Sequence, residues 1–401
     1  MNCRCLVIPF ALVFLACLLL PVVSATDPLW TEKATTSGEL SCVVISADGS
    51  TVVAGGDQLI AFSRDGRKLW TGWSGSPLAI SRDGNYIVSP RDQTVRLLSG
   101  SGSMIWDQSL EVTVNDVDMT PDAVVIAAGG GSRVKLINGT GAGIKLNATI
   151  PVNHIRLFPK RDGVVITSKD GVQTSNLTLY SEWTDFTVAQ DFVEVAADGT
   201  TFVTVTNNRV RQYARNGSLQ WERALPGGNA LGFAYSRDGS TIVVGRDDNT
   251  LEVLDRSGNQ LWTGHATYWV SSVAVSDDGN TIVAGSMDRT LSVYDRTGTK
   301  LGSFTAAEPI KTRSVAVSGD GSVIAAVDAS DVYGFSRSQF TQPVTTVTTA
   351  LPLAETTPAP TAPVVPSASA PAPTATPQAA PSPAVLLVAL AVSFFCRLYK
   401  S

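Results

Sequence analysis

The sequence predicts an all-β fold made of eight repeated units, and three observations lead to this prediction. Two adjacent segments, Leu231–Gly264 and Ser271–Phe304, have nearly the same pattern of apolar runs and Asp-Gly pairs. Equivalent Asp-Gly pairs recur about every 39 residues, close to the length of a four-stranded repeat. The apolar runs, such as Val273-Ala274-Val275, are short and β-branched, and no helical periodicity of useful length accompanies them.

The repeats predict an eight-bladed β-propeller. The marker glycines are Gly49, Gly84, Gly163, Gly199, Gly239, Gly279 and Gly321, with Pro121-Asp122 in the remaining repeat. The last repeat stops near Ser338 with three strands, whereas Leu29-Trp30-Thr31-Glu32 resembles the fourth strand of another repeat, Leu69-Trp70-Thr71-Gly72. We therefore expect the first strand of residues 26–340 to complete the last blade and close the ring. Seven blades is the alternative, if the degenerate stretch from Val114 to Thr187 holds fewer repeats.

Two families share these motifs. Gly264-His265, Asp288 and Tyr294-Asp295 resemble the WD-repeat, and this resemblance implies that His265 hydrogen-bonds within its blade, towards Asp288. The endings DRSGNQLW and SRDGRKLW resemble the tryptophan-docking repeat of quinoprotein dehydrogenases and their non-catalytic relatives. The enzymes of that group bind pyrroloquinoline quinone and calcium, and the alcohol dehydrogenases among them carry an adjacent cysteine pair. This chain has no such pair, so the non-catalytic relatives are nearer, and no cofactor is expected.

Few residues are candidates for chemistry. The two histidines, His154 and His265, are far apart in sequence, and we interpret His154 as a loop residue. The Asp-Gly pairs lack the ligand spacing of a calcium loop and are interpreted as turns, so no metal site is expected. Cys42 is the one cysteine of residues 26–340 and is predicted to be a small buried hydrophobe. The recurring tryptophans are predicted to be core or blade-docking residues: Trp30, Trp70, Trp106, Trp221 and Trp262.

A second set of residues differs because it falls in connections and turns that should meet at one rim of the ring. Loops on a rigid scaffold are where binding residues usually lie. The candidates are Trp73, Tyr268 and Trp269 between blades, and Arg91, Arg246, Asp247 and Asp288 in second turns. For each residue alone, ordinary packing or a solvated turn is the alternative.

Four sequons offer possible glycosylation sites, at Asn138, Asn147, Asn176 and Asn216. Three of them cluster near blades three and four, which suggests that this face is not buried against a partner.

The two ends of the chain indicate export and anchoring. Residues 1–25 have the pattern of a signal peptide, with an uncleaved anchor as the alternative. Residues 341–383 are rich in Pro, Thr and Ala and predict an extended stalk. Residues 384–401 form a short apolar tail with a basic end, predicted as a short helix. The tail could be retained in a membrane, replaced by a lipid as in archaeal surface proteins, or exchanged for a glycolipid anchor.

These observations predict a non-enzymatic, extracellular binding module, anchored at the cell surface, whose partner is an envelope protein or a glycan. A structural component of a surface layer is the second hypothesis, and a quinoprotein-type dehydrogenase is the third. The net charge of −5 and the absence of clustered Lys and Arg argue against a nucleic-acid partner.

Overall fold

A computed structural model describes residues 25–340, except 35–37, 149, 179–180, 188 and 207. The predicted signal peptide, apart from Ala25, lies outside the described residues, as do the predicted stalk and tail. The elements in chain order are β1 (Trp30–Lys33), β2 (Leu40–Ile45), β3 (Thr51–Gly56), β4 (Leu59–Ser63), β5 (Lys68–Gly72), β6 (Ala79–Ile80), β7 (Tyr86–Arg91), β8 (Thr94–Ser99), β9 (Met104–Ser109), β10 (Asp116–Met119), β11 (Val125–Gly130), β12 (Arg133–Asn138), β13 (Gly143–Asn147), β14 (His154–Leu157), β15 (Gly163–Ser168), β16 (Gly171–Asn176), β17 (Ser181–Asp185), β18 (Phe192–Val195), β19 (Thr201–Thr206), β20 (Arg209–Ala214), β21 (Leu219–Ala224), β22 (Ala230–Tyr235), β23 (Thr241–Arg246), β24 (Thr250–Asp255), β25 (Gln260–His265), β26 (Val270–Val275), β27 (Thr281–Ser286), β28 (Thr290–Asp295), β29 (Lys300–Thr305), β30 (Val315–Val317), β31 (Val323–Val327), β32 (Asp331–Ser336) and α1 (Arg337–Phe340).

The strands of the described residues form eight antiparallel four-stranded sheets, so the predicted eight blades are confirmed and the seven-bladed alternative is wrong. Blades 1 to 7 each take four consecutive strands, from β2–β5 in blade 1 to β26–β29 in blade 7. Blade 8 has the order β1-β32-β31-β30, with Trp30 paired to Gly334. The expected closure by the N-terminal strand is therefore also confirmed. It covers the edge of β32, which would otherwise expose unpaired backbone groups.

The first strand of each blade lies next to the central channel, because the first strands of neighbouring blades contact one another. Each first strand runs from the connection between blades to the turn before the second strand. We call the end that carries the inter-blade connections and the turns between second and third strands the rim. The opposite end, with the turns after first and third strands, is the base. The chain enters and leaves the propeller at the base, where Gln339 Nε2 donates to the Asp27 carbonyl at 3.0 Å.

The Asp-Gly turns at the base share one hydrogen-bonding pattern. In blade 1, Ser46 Oγ donates to Asp48 Oδ1 at 2.7 Å, and the same carboxylate oxygen accepts the backbone N–H of Ser50 at 2.9 Å. The N–H of Thr51 donates to Ser46 Oγ at 3.0 Å. The same Ser/Thr–Asp pair recurs at Ser81–Asp83, Thr120–Asp122, Ser236–Asp238, Ser276–Asp278 and Ser318–Asp320. The carboxylates act within the turns, as the sequence predicted.

Backbone hydrogen bonds also join these turns from blade to blade around the base of the channel. Ala47 N donates to the Arg82 carbonyl at 2.9 Å, Arg82 N to Pro121 at 3.0 Å, and Asp277 N to Gly319 at 3.0 Å. The Arg82 guanidinium of blade 2 lies 2.6 Å from the Asp277 carboxylate of blade 7, so an ion pair spans this end of the channel.

Tryptophans of the outer strands join neighbouring blades. Each indole Nε1 donates to a carbonyl in the third-to-fourth-strand turn of the next blade; the pairs are Trp30–Arg64, Trp70–Gly100, Trp106–Gly139, Trp221–Arg256 and Trp262–Arg296. The predicted blade-docking role is confirmed for all five. Trp183 of blade 4, which the repeat pattern did not single out, packs in the same way against Gly217.

The core consists of β-branched side chains packed between adjacent blades, such as Val283, Val293 and Ile324 between blades 7 and 8. Cys42 is buried in an equivalent layer between blades 1 and 2, and its burial raises the pKa of the thiol. The prediction of a small buried hydrophobe is therefore confirmed.

Candidate functional site

Two side chains at the rim form an exposed aromatic pair. Tyr268 and Trp269 lie in the connection between blades 6 and 7, with their ring centroids 5.1 Å apart and their planes 12° from parallel. They remain 47% and 40% exposed. Their backbone is fixed to the second-to-third-strand turn of blade 7, because Ser286 Oγ donates to the Tyr268 carbonyl at 3.1 Å and Met287 N donates to the Trp269 carbonyl at 2.9 Å. The pair is therefore a rigid apolar platform open to solvent.

Asp288 supports the same connection. Its Oδ2 accepts hydrogen bonds from the Thr267 backbone N–H at 2.8 Å and hydroxyl at 2.6 Å, and its Oδ1 accepts from Thr290 N at 2.8 Å. Burial raises its pKa, but these hydrogen bonds outweigh burial and hold the pKa of Asp288 below its usual value. The expected hydrogen bond from His265 is not among the bonds to Asp288. Thr267 supplies the donors instead, and His265 is exposed at the end of β25.

Arg246 is not presented to solvent, contrary to the prediction that it belongs to the exposed rim. It is 2% exposed, and its guanidinium lies 2.6 Å from Asp248 and 3.1 Å from Glu252 and also donates to the Pro226 carbonyl. A buried charge needs such partners, so Arg246 is a structural residue. Asp247 is partly exposed, and its carboxylate accepts from Asn229 N at 2.6 Å and Asn229 Nδ2 at 2.8 Å.

Trp73 and Arg91 lie near blades 1 and 2. Trp73 is 42% exposed, but its indole Nε1 donates to the Gly102 carbonyl at 3.1 Å, and the Arg96 guanidinium lies 5.3 Å from its ring centroid. Gly102 belongs to a base-side turn, so the Trp73 indole folds against blade 2 instead of extending the rim. The exposed Arg91 does lie at the rim, with its Nε 3.7 Å from Asp92.

The rim residues do not form one continuous patch. Near the aromatic pair, the predicted rim residues are Asp288, in the second-to-third-strand turn of blade 7, and Asp247, in the equivalent turn of blade 6. We call Tyr268 and Trp269 the aromatic platform.

The central channel contains a charged cluster that sequence reasoning missed. Asp116 of β10 is 3% exposed at its side chain, and its Oδ2 lies 2.7 Å from Arg156 Nη1 and 3.3 Å from His154 Nδ1. Arg156 also contacts Glu194 of β18 at 2.9 Å. His154 is the first residue of β14 and its ring stacks on Phe192 at 5.4 Å, so the prediction that it is a loop residue is wrong.

The charges of this cluster shift one another. Burial raises the pKa of Asp116, but the Arg156 charge and the His154 hydrogen bond outweigh burial and hold that pKa well below its usual range. For Asp118, burial dominates and raises the pKa to about 7, even though Arg156 lowers it. Burial lowers the pKa of Arg156, but the charges of Glu194 and Asp116 outweigh burial and hold that pKa above its usual value. Arg156 is thus a permanent cation that holds two carboxylates in the channel wall.

A cavity of about 480 Å³ opens among the first strands beside this cluster. Its lining residues include Ser41, Ser76 and Thr312, as well as Phe192 and Phe233. Most of its lining residues lie in or just before first strands, which begin at the rim. The cavity therefore occupies the rim-side part of the channel.

Three of the sequon asparagines lie in third-to-fourth-strand turns at the base: Asn138 in blade 3, Asn176 in blade 4 and Asn216 in blade 5. In each turn the Asn Oδ1 accepts the hydroxyl of the residue two positions on, at 2.7 to 2.8 Å. Asn147 ends β13, and its side chain lies outside the described residues. Glycosylation stays a prediction at all four.

Within the described part of the chain, no group of three or more His, Cys, Asp and Glu side chains is placed to hold a metal ion. No helix in the same part is both long and apolar enough to cross a membrane.

Comparison with known proteins supports the fold. Residues 258–295 match the family model described as "WD domain, G-beta repeat" (WD40). Among solved structures, the chain is similar to "Crystal Structure Of The C-Terminal WD40 Domain Of Sif2", with a TM-score of 0.67 and 12% identity, over 78% of this chain and 99% of the other. A comparison with curated proteins finds no match. The chain therefore has the fold of a WD-repeat β-propeller.

Proposed function

We propose that this protein is a non-enzymatic interaction module, displayed at the cell surface, that recognises an envelope protein or a glycan with the rim of its propeller. The aromatic platform carries the proposal. Large aromatic side chains dominate the energy of many interfaces, and here two of them are stacked, fixed and left 47% and 40% exposed.

The construction of the fold favours recognition. WD-repeat propellers are in general interaction scaffolds, and the repeat match and the similar structure support this class of function. The rim platform is held by backbone bonds to a neighbouring turn, so binding would cost little ordering of the platform.

The geometry of the chain ends fits display. The first and the last residues of the propeller both lie at the base, since Gln339 contacts Asp27 there. Phe340, the last described residue, follows β32 at the base, the end opposite the aromatic platform. The export signal, the stalk and the apolar tail predicted for residues 1–25, 341–383 and 384–401 support anchoring at the membrane.

A lateral structural role in a surface layer is the second candidate.

The docked tryptophans support the resemblance to tryptophan-docking repeats. We propose the non-catalytic kind, because Cys42 is the lone cysteine of residues 26–340 and the sequence has no adjacent cysteine pair.

The test is a pull-down from native envelope extract with the propeller, residues 26–340, as bait. The variant carries Tyr268→Ala and Trp269→Ala. The matched control carries Tyr86→Ala and Leu219→Ala, which remove two exposed apolar side chains next to base turns. We expect one partner to be retained by the wild type and the control and lost by the rim variant. Equal retention by all three, or no retention by the wild type, would refute recognition at the aromatic platform.

A further inference from the structure

Arg313 is a cation of the channel whose hydrogen-bonding capacity is little used. It precedes β30 in blade 8, in the left-handed region with φ of 61°, and its carbonyl accepts from Val43 N at 3.1 Å. Its side chain crosses the channel to blades 3 and 4, where Nη2 lies 3.5 Å from both Asp116 Oδ1 and His154 Nδ1. Both distances are at the outer limit of a hydrogen bond, whereas a guanidinium offers five donors. The side chain remains 39% exposed.

The carboxylates of the channel do not require Arg313. Arg156 approaches Asp116 at 2.7 Å, and the Ile155 N–H also donates to that carboxylate at 3.2 Å. Glu194 Oε1 accepts from two nitrogens of Arg156, each at 2.9 Å. Arg156 is thus the nearest cation to both Asp116 and Glu194, and Arg313 is a more distant and more exposed cation of the same cluster.

The cavity next to Arg313 has the size and the lining to hold a few residues of an extended peptide. Its volume of about 480 Å³ falls within the range of binding pockets, roughly 300 to 1,000 Å³. Thr312 and Arg313 line the cavity together with Arg156 and Glu194, and Phe233 offers an apolar wall. An incoming carboxylate would gain the fork-shaped donor geometry of the guanidinium, which matches two carboxylate oxygens.

We propose that Arg313 and the rim-side cavity of the channel bind a carboxylate, supplied by an Asp or Glu side chain or the C-terminus of an acidic segment of a protein partner. This inference rests on the proposed function and names the chemistry of its partner. It places a second, charged contact beside the apolar contact of the aromatic platform.

The test uses fluorescein-labelled hexaglutamate as the probe and fluorescence anisotropy with the intact protein. The variant is Arg313→Gln. The matched control is Arg289→Gln, an exposed arginine that also has a positive φ, of 73°, and lies at the rim in blade 7. We expect the wild type and the control to bind alike and Arg313→Gln to bind at least about tenfold more weakly, the fold-change that corresponds to one charged hydrogen bond. The protein has a net charge of −5, which disfavours general attraction of the anionic probe, and the Arg289→Gln control measures the effect of removing one rim cation elsewhere.

Further arms keep the test decisive. Hexaglutamine and hexalysine should not bind, and Arg313→Lys, which keeps the charge without the fork, should bind with intermediate affinity. The inference is wrong if the wild type does not bind hexaglutamate, if Arg313→Gln equals the control, or if hexalysine binds instead. It is also wrong if an uncharged glycan, maltohexaose, displaces the probe equally well from wild type and Arg313→Gln. Because the platform variants are tested separately, any of these outcomes can occur while recognition at the rim still holds.

Discussion

Docking of an outer-strand tryptophan on the next blade should contribute measurably to the free energy of unfolding, and Gly298 provides the sharpest perturbation. Gly298 has a φ of 90°, and a Cβ added there would lie 2.7 Å from Trp262 Cγ. The left-handed backbone costs an L-residue about 1–2 kcal/mol. Displacing Trp262 would also break the 2.9 Å hydrogen bond from its Nε1 to the Arg296 carbonyl, a loss of about 1 kcal/mol. Gly298→Ala should therefore destabilise the protein by about 2–3 kcal/mol.

Gly72→Ala is the matched control, because no atom lies within 4 Å of a Cβ added at Gly72. Both substitutions reduce the entropy of the unfolded chain similarly, by about 0.4–1 kcal/mol, so their difference contains only the backbone strain at Gly298, whose φ is 90°, and the displacement of Trp262. The assay is urea unfolding with linear extrapolation. In the Trp262→Leu background, Gly298→Ala should cost less, because the clash is removed. Equal unfolding free energies for the two glycine variants would refute the docking account.

Three further predictions concern the channel and the ring closure. Asp118 binds its proton more tightly in the folded state, where its pKa is about 7 against about 4 in the unfolded chain. Its contribution to stability is therefore full below about pH 4 and is lost as the pH rises through 7. Asp118→Asn should reduce the fall in melting temperature between pH 5 and pH 8, and an unchanged fall would contradict this. Arg156→Ala should cost about 3–5 kcal/mol in urea unfolding because it removes the cation 2.7 Å from the buried Asp116 and leaves that carboxylate with longer contacts to His154, Arg313 and the Ile155 N–H. Arg133→Ala, which breaks an exposed pair, should cost less than about 1 kcal/mol. Similar costs would argue against the channel cluster. Deleting residues 26–34 removes β1 and uncovers β32, so size-exclusion chromatography should show aggregates, and a stable monomer would argue against closure by this strand.

The repeats made the fold predictable from the sequence. Asp-Gly turns, apolar strand triplets and the Leu-Trp endings recur at blade length, and each reflects a local requirement of a blade. Closure was predictable because Trp30 occupies the place that the last repeat lacks. Trp183 escaped detection because its repeat has no glycine–leucine–tryptophan spacing like that of Asp255–Trp262.

The candidate site was less predictable. The topology alone places Tyr268, Trp269 and Asp288 near one another at the rim, since consecutive connections and turns meet there. Whether a side chain such as Arg246 or Trp73 faces solvent depends on partners from distant turns, and nothing in the local sequence indicates those partners.

The sequence contains a pattern from which the channel cluster could have been predicted. Asp116, Asp118, His154, Arg156 and Glu194 alternate with apolar residues in the first strands of blades 3 to 5. A polar residue at every second position of an innermost strand indicates a wet channel wall. Arg313 could not have been assigned in this way, because its partners lie across the channel, about 160 and 200 positions away in sequence.

The central claim is that the aromatic platform contacts a partner at the cell surface. Site-specific photo-cross-linking on intact cells tests it most directly, with benzoylphenylalanine placed at Trp269 or, as the control, at Tyr86 near the base. The account predicts a discrete cross-linked product from position 269 and none from position 86. Cross-linking from position 86 alone, or from neither position, would contradict it.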